Sequence, residues 1–355
     1  MEAFIRGIGN ISPQPTFDNN VFLQEIREYR SAMLQSIEPD YKDFIKPIQL
    51  RRMSRLLKMG VTAAGICLHD AELDKPDAII TGTGMGMMEE TEKFLIGILD
   101  NGERLLNPTA FIQSTHNTVG AHIAVMLGCN RYNMTYVQGS VSLENALLDS
   151  LMWLEERPSD KVLLGGIEEI TESHFIITNS MGFWKKGEIF NLDLLKDKTP
   201  GTIAGEGASF FLLSKEESPR NYGRIRGLST RFNPENQTIA VDHIDAFLAD
   251  HKLIATDIDL VILGLNGDPL SDAVYEPVTG YFKGKSSLTY YKHLCGEHFL
   301  ASSFALWLAA RILKNQEVPA VFMLNEAKKP GKINNILVHN HFKNIHHSLM
   351  LVSSC

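Results

Sequence analysis

Paired cysteines are what this 355-residue chain most lacks. Its four cysteines, Cys67, Cys129, Cys295 and Cys355, stand far apart with no C-x-x-C pair among them. Neither a zinc site nor a disulfide framework is expected, and no metal ligand set is read from the sequence. A reducing cytoplasm suits such a chain. No apolar run reaches the ~20 residues of a membrane-spanning helix. The stretch Met1-Glu2-Ala3-Phe4-Ile5-Arg6 lacks the long apolar core of a signal peptide. Basic residues are in the minority, 34 Lys and Arg against 42 Asp and Glu, for a net charge of -8. That balance argues against a nucleic-acid partner, since phosphate binding wants a basic face. The densest basic run, Arg51-Arg52-Met53-Ser54-Arg55-Leu56-Leu57-Lys58, reads as a solvated helix face.

What is present is an alternation of strands and helices. Ala3 to Ile8 reads as a strand that stops at Gly7-x-Gly9. Met53 to Ala71 has helical spacing, with Leu56, Leu57, Val61, Ala64 and Leu68 on one side. Further strands are expected at Ala78–Ile80, Met134–Val137, Lys161–Leu164, Ala208–Leu213, Leu260–Leu263, Ala320–Leu324 and Leu349–Val352. Helices are expected at Thr118–Leu127, Ser142–Leu154, Val241–Asp250 and Ala301–Leu313. Strands separated by helices imply a mostly parallel sheet covered on both faces. The charged, Pro219-containing stretch Glu216 to Arg224 is the expected seam between two halves, 1–218 and 219–355.

Gly82-Thr83-Gly84-Met85-Gly86 invites a phosphate-loop reading. Its glycines do not fit G-x-G-x-x-G, because Met87 takes the last place, and no P-loop lysine follows. A tight strand-to-helix turn is expected instead. Other glycine motifs follow: Gly7-Ile8-Gly9-Asn10 in the opening strand, Gly120-Ala121-His122 after Asn107-Pro108 and Asn117, Gly165-Gly166-Ile167-Glu168, and Gly205-Glu206-Gly207-Ala208. In order and spacing these resemble the β-ketoacyl synthase family over nearly the whole chain. The resemblance implies the α/β thiolase-like fold, two related halves in a five-layered α-β-α-β-α sandwich, and a dimer formed through Asn107 to Leu127. Gly120, Ala121 and Ala124 are expected to let the partner's helix approach.

A condensing synthase needs a thiolate, two imidazoles and oxyanion donors. The segment resembling the family's nucleophile turn runs from Gly128 to Ser140. Matching Tyr132 and Thr135 places Gln138 at the nucleophile. Matching Gly128, Asn130 and Thr135 places Val137 there. Neither side chain forms a thioester. Where the family carries its first histidine, Gly264-Leu265-Asn266-Gly267-Asp268-Pro269 has Asn266, which hydrogen-bonds but does not shuttle protons at neutral pH. The second histidine is kept as His293 in Lys292-His293-Leu294-Cys295-Gly296, and the family's upstream lysine is Leu288. The glycine-rich gating loop is replaced by Val338 to His347, with only Phe342 kept. Its four histidines, His339, His341, His346 and His347, are expected to fill a former channel rather than bind metal.

By resemblance, the chain is a chain-length-factor-like subunit. It would pair with an active ketosynthase in a heterodimer and meet acyl carrier protein directly or through that partner, with Phe111 and Phe342 near a shared substrate tunnel. The resemblance implies no cofactor. The setting it implies is a bacterial type II fatty acid or polyketide system, such as an aryl-polyene or flexirubin-like pigment pathway. The alternative is an acyltransferase-type enzyme, either a malonyl carrier-protein decarboxylase or a divergent synthase with a rearranged site.

Overall fold

The computed structural model describes residues 1–106, 108–233, 241–324 and 331–355. Asn107, which opens the expected dimer stretch, lies outside them.

Strand β1 (Ala3–Ile11) does not stop at its glycines. They serve the helix that follows, α1 (Arg55–Asp70), whose N-cap Ser54 side chain accepts from Leu57 N. A Cβ on Gly9 would sit 2.1 Å from Ala63 O of α1, so only glycine lets the helix lie directly on the strand. The apolar side read from the spacing, Leu56, Leu57, Val61, Ala64 and Leu68, is buried. Arg51 and Arg52 are exposed, but Arg55 is not a solvated cation. It turns inward to the buried Glu206.

The remaining strands are β2 (Ala78–Gly82), β3 (Tyr132–Tyr136), β4 (Val162–Glu168), β5 (Gly207–Ser214), β6 (Gly223–Phe232), β7 (Leu260–Leu263), β8 (Ser287–Tyr290), β9 (Asn335–Phe342) and β10 (His346–Ser353). The main helices after α1 are α2 (Met88–Asp100), α3 (Pro108–Gln113), α4 (Thr118–Leu127), α5 (Ser142–Glu156), α6 (Glu172–Ser180), α7 (Val241–Asp250), α8 (Glu276–Phe282) and α9 (Ala301–Asn315). The strand order is β3-β2-β4-β5-β1-β6-β10-β9-β7-β8. Read outward from the β1–β6 junction, both sides give the same sequence of roles: first, fifth, fourth, second and third strand. Both sides are also alike in direction. β2 is parallel to β3 and β4, and β7 is parallel to β8 and β9, while β5 and β10 run antiparallel. The connection between the sides is the loop 215–222.

Three apolar clusters define the layers. One joins Ile80, Leu164 and Phe211 of the first side to Ile262, Val338 and Met350 of the second through α5 and α9. A second packs α1 and α4 on the outer face of the first side. A third packs α7 and α8 on the outer face of the second. The result is helix, sheet, helix, sheet, helix. Because α9 lies between the two sides of the sheet, every residue from Ala301 to Leu313 is buried. A helix apolar or small on all sides belongs in such a place.

Two expectations need correction. Ala320–Leu324 is not a strand. Pro319 precedes a single 3-10 turn, Ala320–Phe322, and only an isolated bridge joins Met323 to Thr289. Gly120 and Ala124 do not face a partner. Both are buried against this chain's own β2 and α1 layers, and a Cβ on Gly120 would meet Thr81 Oγ1 at 3.0 Å. The outward residues are Val125 of α4, Leu95, Ile96 and Leu99 of α2, Phe111 and Ile112 of α3, and Met134 of the edge strand β3.

Candidate functional site

Gln138 stands where β3 gives way to the 3-10 turn Gly139–Val141 and then α5. Its backbone N–H donates to Ser142 Oγ at 2.8 Å, and that hydroxyl donates to Gly139 O at 2.8 Å. Asn145 Nδ2 donates to Gln138 Oε1 at 3.1 Å. The amide is therefore tied into the first turn of α5. Val137, the other candidate, is exposed beside it. Ser140 Oγ lies 2.7 Å from His346 Nδ1. The pair has the reach of a nucleophile and base, but Ser140 is buried and the contact closes the turn onto β10.

Asn266 sits after β7, buried and bonded on every polar atom. Its backbone N–H donates to Asp272 Oδ1 at 2.8 Å, and its carbonyl accepts from Thr202 Oγ1 at 2.6 Å. The side-chain oxygen accepts from Asp268 N at 3.1 Å. The amide nitrogen donates to Glu297 Oε2 at 2.8 Å and to Ser271 Oγ at 3.3 Å. Burial pushes the Asp272 carboxyl up to about 6, against its backbone hydrogen bonds.

Glu297 Oε2 also accepts from Lys292 Nζ at 2.8 Å, and both side chains are almost wholly removed from solvent. The centre beside Asn266 is thus a fixed ammonium–carboxylate pair. Sequence reasoning singled out neither residue as functional. The signal was there: a lysine and a glutamate stand on either side of His293 in an otherwise apolar stretch.

His293 lies elsewhere. It is on the single helical turn Lys292–Cys295, fully buried, with its ring 4.0 Å from Tyr290 and 5.8 Å from Phe322. Burial pushes its pKa down to about 3, so it is neutral at physiological pH. It is a wall of aromatic core, one residue out of phase with the polar centre that Lys292 enters.

A cavity of about 250 Å³ opens beside this centre, lined by Asn266 and Glu297, by Phe183 and Trp184, and by Phe342 and Lys343. Phe342 ends β9, and the turn behind it carries Lys343 and Asn344 at φ 50 and 56, values that favour glycine. Lys343 Nζ lies 3.2 Å from the centre of the Phe183 ring. Gln138 and His293 do not line the cavity; Asn266 and Phe342 do. Phe111 lies on the exposed α3, its ring 5.2 Å from Phe94 of α2. His339 and His341 each pack against His347 and against Tyr275. Among the described residues, no group of three or more His, Cys, Asp or Glu is placed to hold a metal ion.

The glycine motifs are braces around this site. Glu168 ends β4 and accepts from Gly84 N at 2.6 Å and Met85 N at 3.0 Å. Burial holds its carboxyl up at about 8, and neighbouring Glu169 up at about 7. Glu206 accepts from Ser36 N, Ile170 N and the Arg55 guanidinium. A Cβ on Gly205 would fall 1.9 Å from Cys295 O, so the first half's motif lies on the turn that carries Lys292.

The sequence profile of the β-ketoacyl synthase N-terminal domain matches residues 27–180. The ishigamide ketosynthase/chain length factor superposes at a TM-score of 0.82 with 16% identity, covering 100% of this chain and 99% of its own. The chain has the β-ketoacyl synthase fold. A β-ketoacyl synthase from Burkholderia phymatum superposes at 0.75 with 15% identity, covering 100% and 99%. So does a type II polyketide synthase acyl-carrier protein in complex with its ketosynthase bound to the hexaketide, at 0.75 with 14% identity and the same coverage. At these identities the likeness is one of ketosynthase fold. No curated protein sequence matches the chain. Among the described residues, no helix is long and apolar enough to cross a membrane.

Proposed function

We propose that this chain is a non-condensing, chain-length-factor-type subunit that pairs with an active β-ketoacyl carrier-protein synthase in type II fatty acid or polyketide synthesis. An aryl-polyene or flexirubin-like pigment pathway is the setting we favour, and the cytoplasm the location. One observation carries the reading. Gln138 and Asn266, the residues we match to the family's nucleophile and first histidine, are an amide tied to Asn145 and an asparagine locked to a Lys292–Glu297 pair. A carboxamide forms no thioester, and an asparagine side chain relays no proton at neutral pH.

Partnership is supported by the apolar face of α2, α3, α4 and β3. Leu99 and Val125 there are each about four-fifths exposed. Patches of this kind mark association sites, and the unpaired edge of β3 belongs to the same face. We take 1–218 and 219–355 as the two halves and Gln138 as the residue at the nucleophile position. Phe111 on the exposed face and Phe342 in the cavity are the tunnel-facing residues we propose.

The test is reconstitution. The chain is co-expressed with an active type II ketosynthase from the same organism, and carrier-protein-dependent product is followed by mass spectrometry. Product from the pair and none from either chain alone supports the reading. Decarboxylation of malonyl carrier protein by the isolated chain would instead favour an enzyme.

A further inference from the structure

Phe299 stands between the two parts of the site. A Cβ placed on Gly84 would lie 2.5 Å from Cβ, Cγ and Cδ2 of Phe299, and one on Gly139 would lie 3.7 Å from Cε1. The same ring is 4.9 Å from that of Phe342, which lines the Asn266 cavity. One aromatic side chain therefore reaches from the turn that carries Gln138 to the wall of the cavity. Gly84 follows β2 and Gly139 follows β3, so the niche lies beyond the carboxyl ends of adjacent parallel strands. That is where open α/β sheets bind ligands. Its floor is glycine backbone and its far wall is an aromatic ring, surroundings that suit a slender apolar chain. Phe299 is only partly buried, packed at the edge of the central apolar cluster rather than inside it.

We propose that this niche is an alkyl-chain site filled by the protein's own Phe299, and that Phe299 is the barrier separating Gln138 from the Asn266 cavity. The inference deepens the proposed function, since it takes the excluded ligand to be an acyl chain. Its test needs no partner and no carrier protein, so it fails or stands separately from that reading.

A reporter thiol is introduced as Gln138→Cys in a Cys355→Ser background, with Phe299 retained or changed to Ala. Each protein is modified with alkyl methanethiosulfonates from methyl to octyl, and its thermal midpoint is recorded. With Phe299→Ala, the midpoint should rise with alkyl length, by about 2 °C or more from methyl to octyl. With Phe299 retained, it should stay level or fall. The same length dependence in both proteins, or none in either, overturns the proposal. Phe299→Leu guards against a misfolded alanine variant, and its gain should fall between the other two.

Discussion

Lys292 Nζ and Glu297 Oε2 meet at 2.8 Å, five residues apart in sequence, with the lysine fully buried and the glutamate nearly so. The pair spans the turn that ends at Gly296, and Asn266 is bonded to the same carboxylate oxygen. A buried pair offsets the desolvation of each partner only while both are present. Lys292→Met or Glu297→Gln alone should therefore cost about 3–5 kcal/mol in urea unfolding. The double variant should cost clearly less than the sum. Additive losses would show that the two charges are solvated independently.

The isolated chain should take up no covalent label from radiolabelled acyl carrier protein after denaturation. Cys67, Cys129 and Cys295 are buried, and burial pushes the Cys295 thiol well up, against thiolate formation. A labelled peptide containing Cys129, Cys295 or Ser140 would contradict the assignment. Gln138→Cys alone should not restore condensation, because Asn266 supplies no imidazole and Phe299 still fills the niche between them.

Association should fail when charge is placed on the outward face. Val125→Asp with Leu99→Asp should separate the chain from its partner on size exclusion while leaving it folded, since neither side chain belongs to the core. Ala124→Trp would be a poor probe, because Ala124 packs inside its own chain and the substitution overfills the core. A complex that survives the two aspartates places the interface elsewhere.

Phe111→Ala, on the same face, should shift product length in a reconstituted pair without abolishing turnover. One methylene of apolar contact is worth only about 0.8 kcal/mol, so the products should be redistributed rather than switched. Mass spectrometry that shows altered yield but constant length across such variants would make the subunit a scaffold.

Stability should fall on both sides of mildly acidic pH. His293 and His339 are held neutral in the fold with pKa values of about 3, against 6.5 when unfolded, and His341 shifts the same way. The unfolded chain binds their protons first, so stability is lost as pH falls below 6.5. Glu168 and Glu169 shift oppositely, from 4.5 to about 8 and about 7. The folded chain holds their protons longer, so their contribution is lost as pH rises from 4.5 through those values. Above 6.5 only the carboxyls act, and the thermal midpoint should decline toward pH 8. Glu168→Gln should gain on the wild type over that range; a constant difference would mean that Glu168 is ionised throughout.

The fold was legible where the period of an element survives in the sequence. Thr118–Leu127, Val241–Asp250 and Leu260–Leu263 are found with the bounds expected of them. Strand β6 was missed where charge disguised it: Arg224 and Arg226 alternate with the buried Gly223, Ile225 and Gly227, and only its first two residues fell within the stretch read as a seam. Asn266 was legible because its loop motif is local. The Lys292–Glu297 pair and Phe299 were not, because their meaning depends on which way a turn points its side chains. His293, which by resemblance matches the family's second histidine, points into aromatic core, while the residue before it enters the polar centre.

The contact between Gly205 and the Cys295 carbonyl has a wider consequence. A methyl at that glycine would overlap the opposite backbone whatever reaction the site performs. The spacing of such glycines is a record of where two pieces of main chain touch. It can outlast the chemistry by any length of time, since selection on closeness of approach needs only that the protein fold. A lineage can therefore exchange thiol for amide and imidazole for amide while its signature stays readable. In a chain of this kind the glycines report where main chain meets main chain, and the side chains facing the cavity must be asked separately about work.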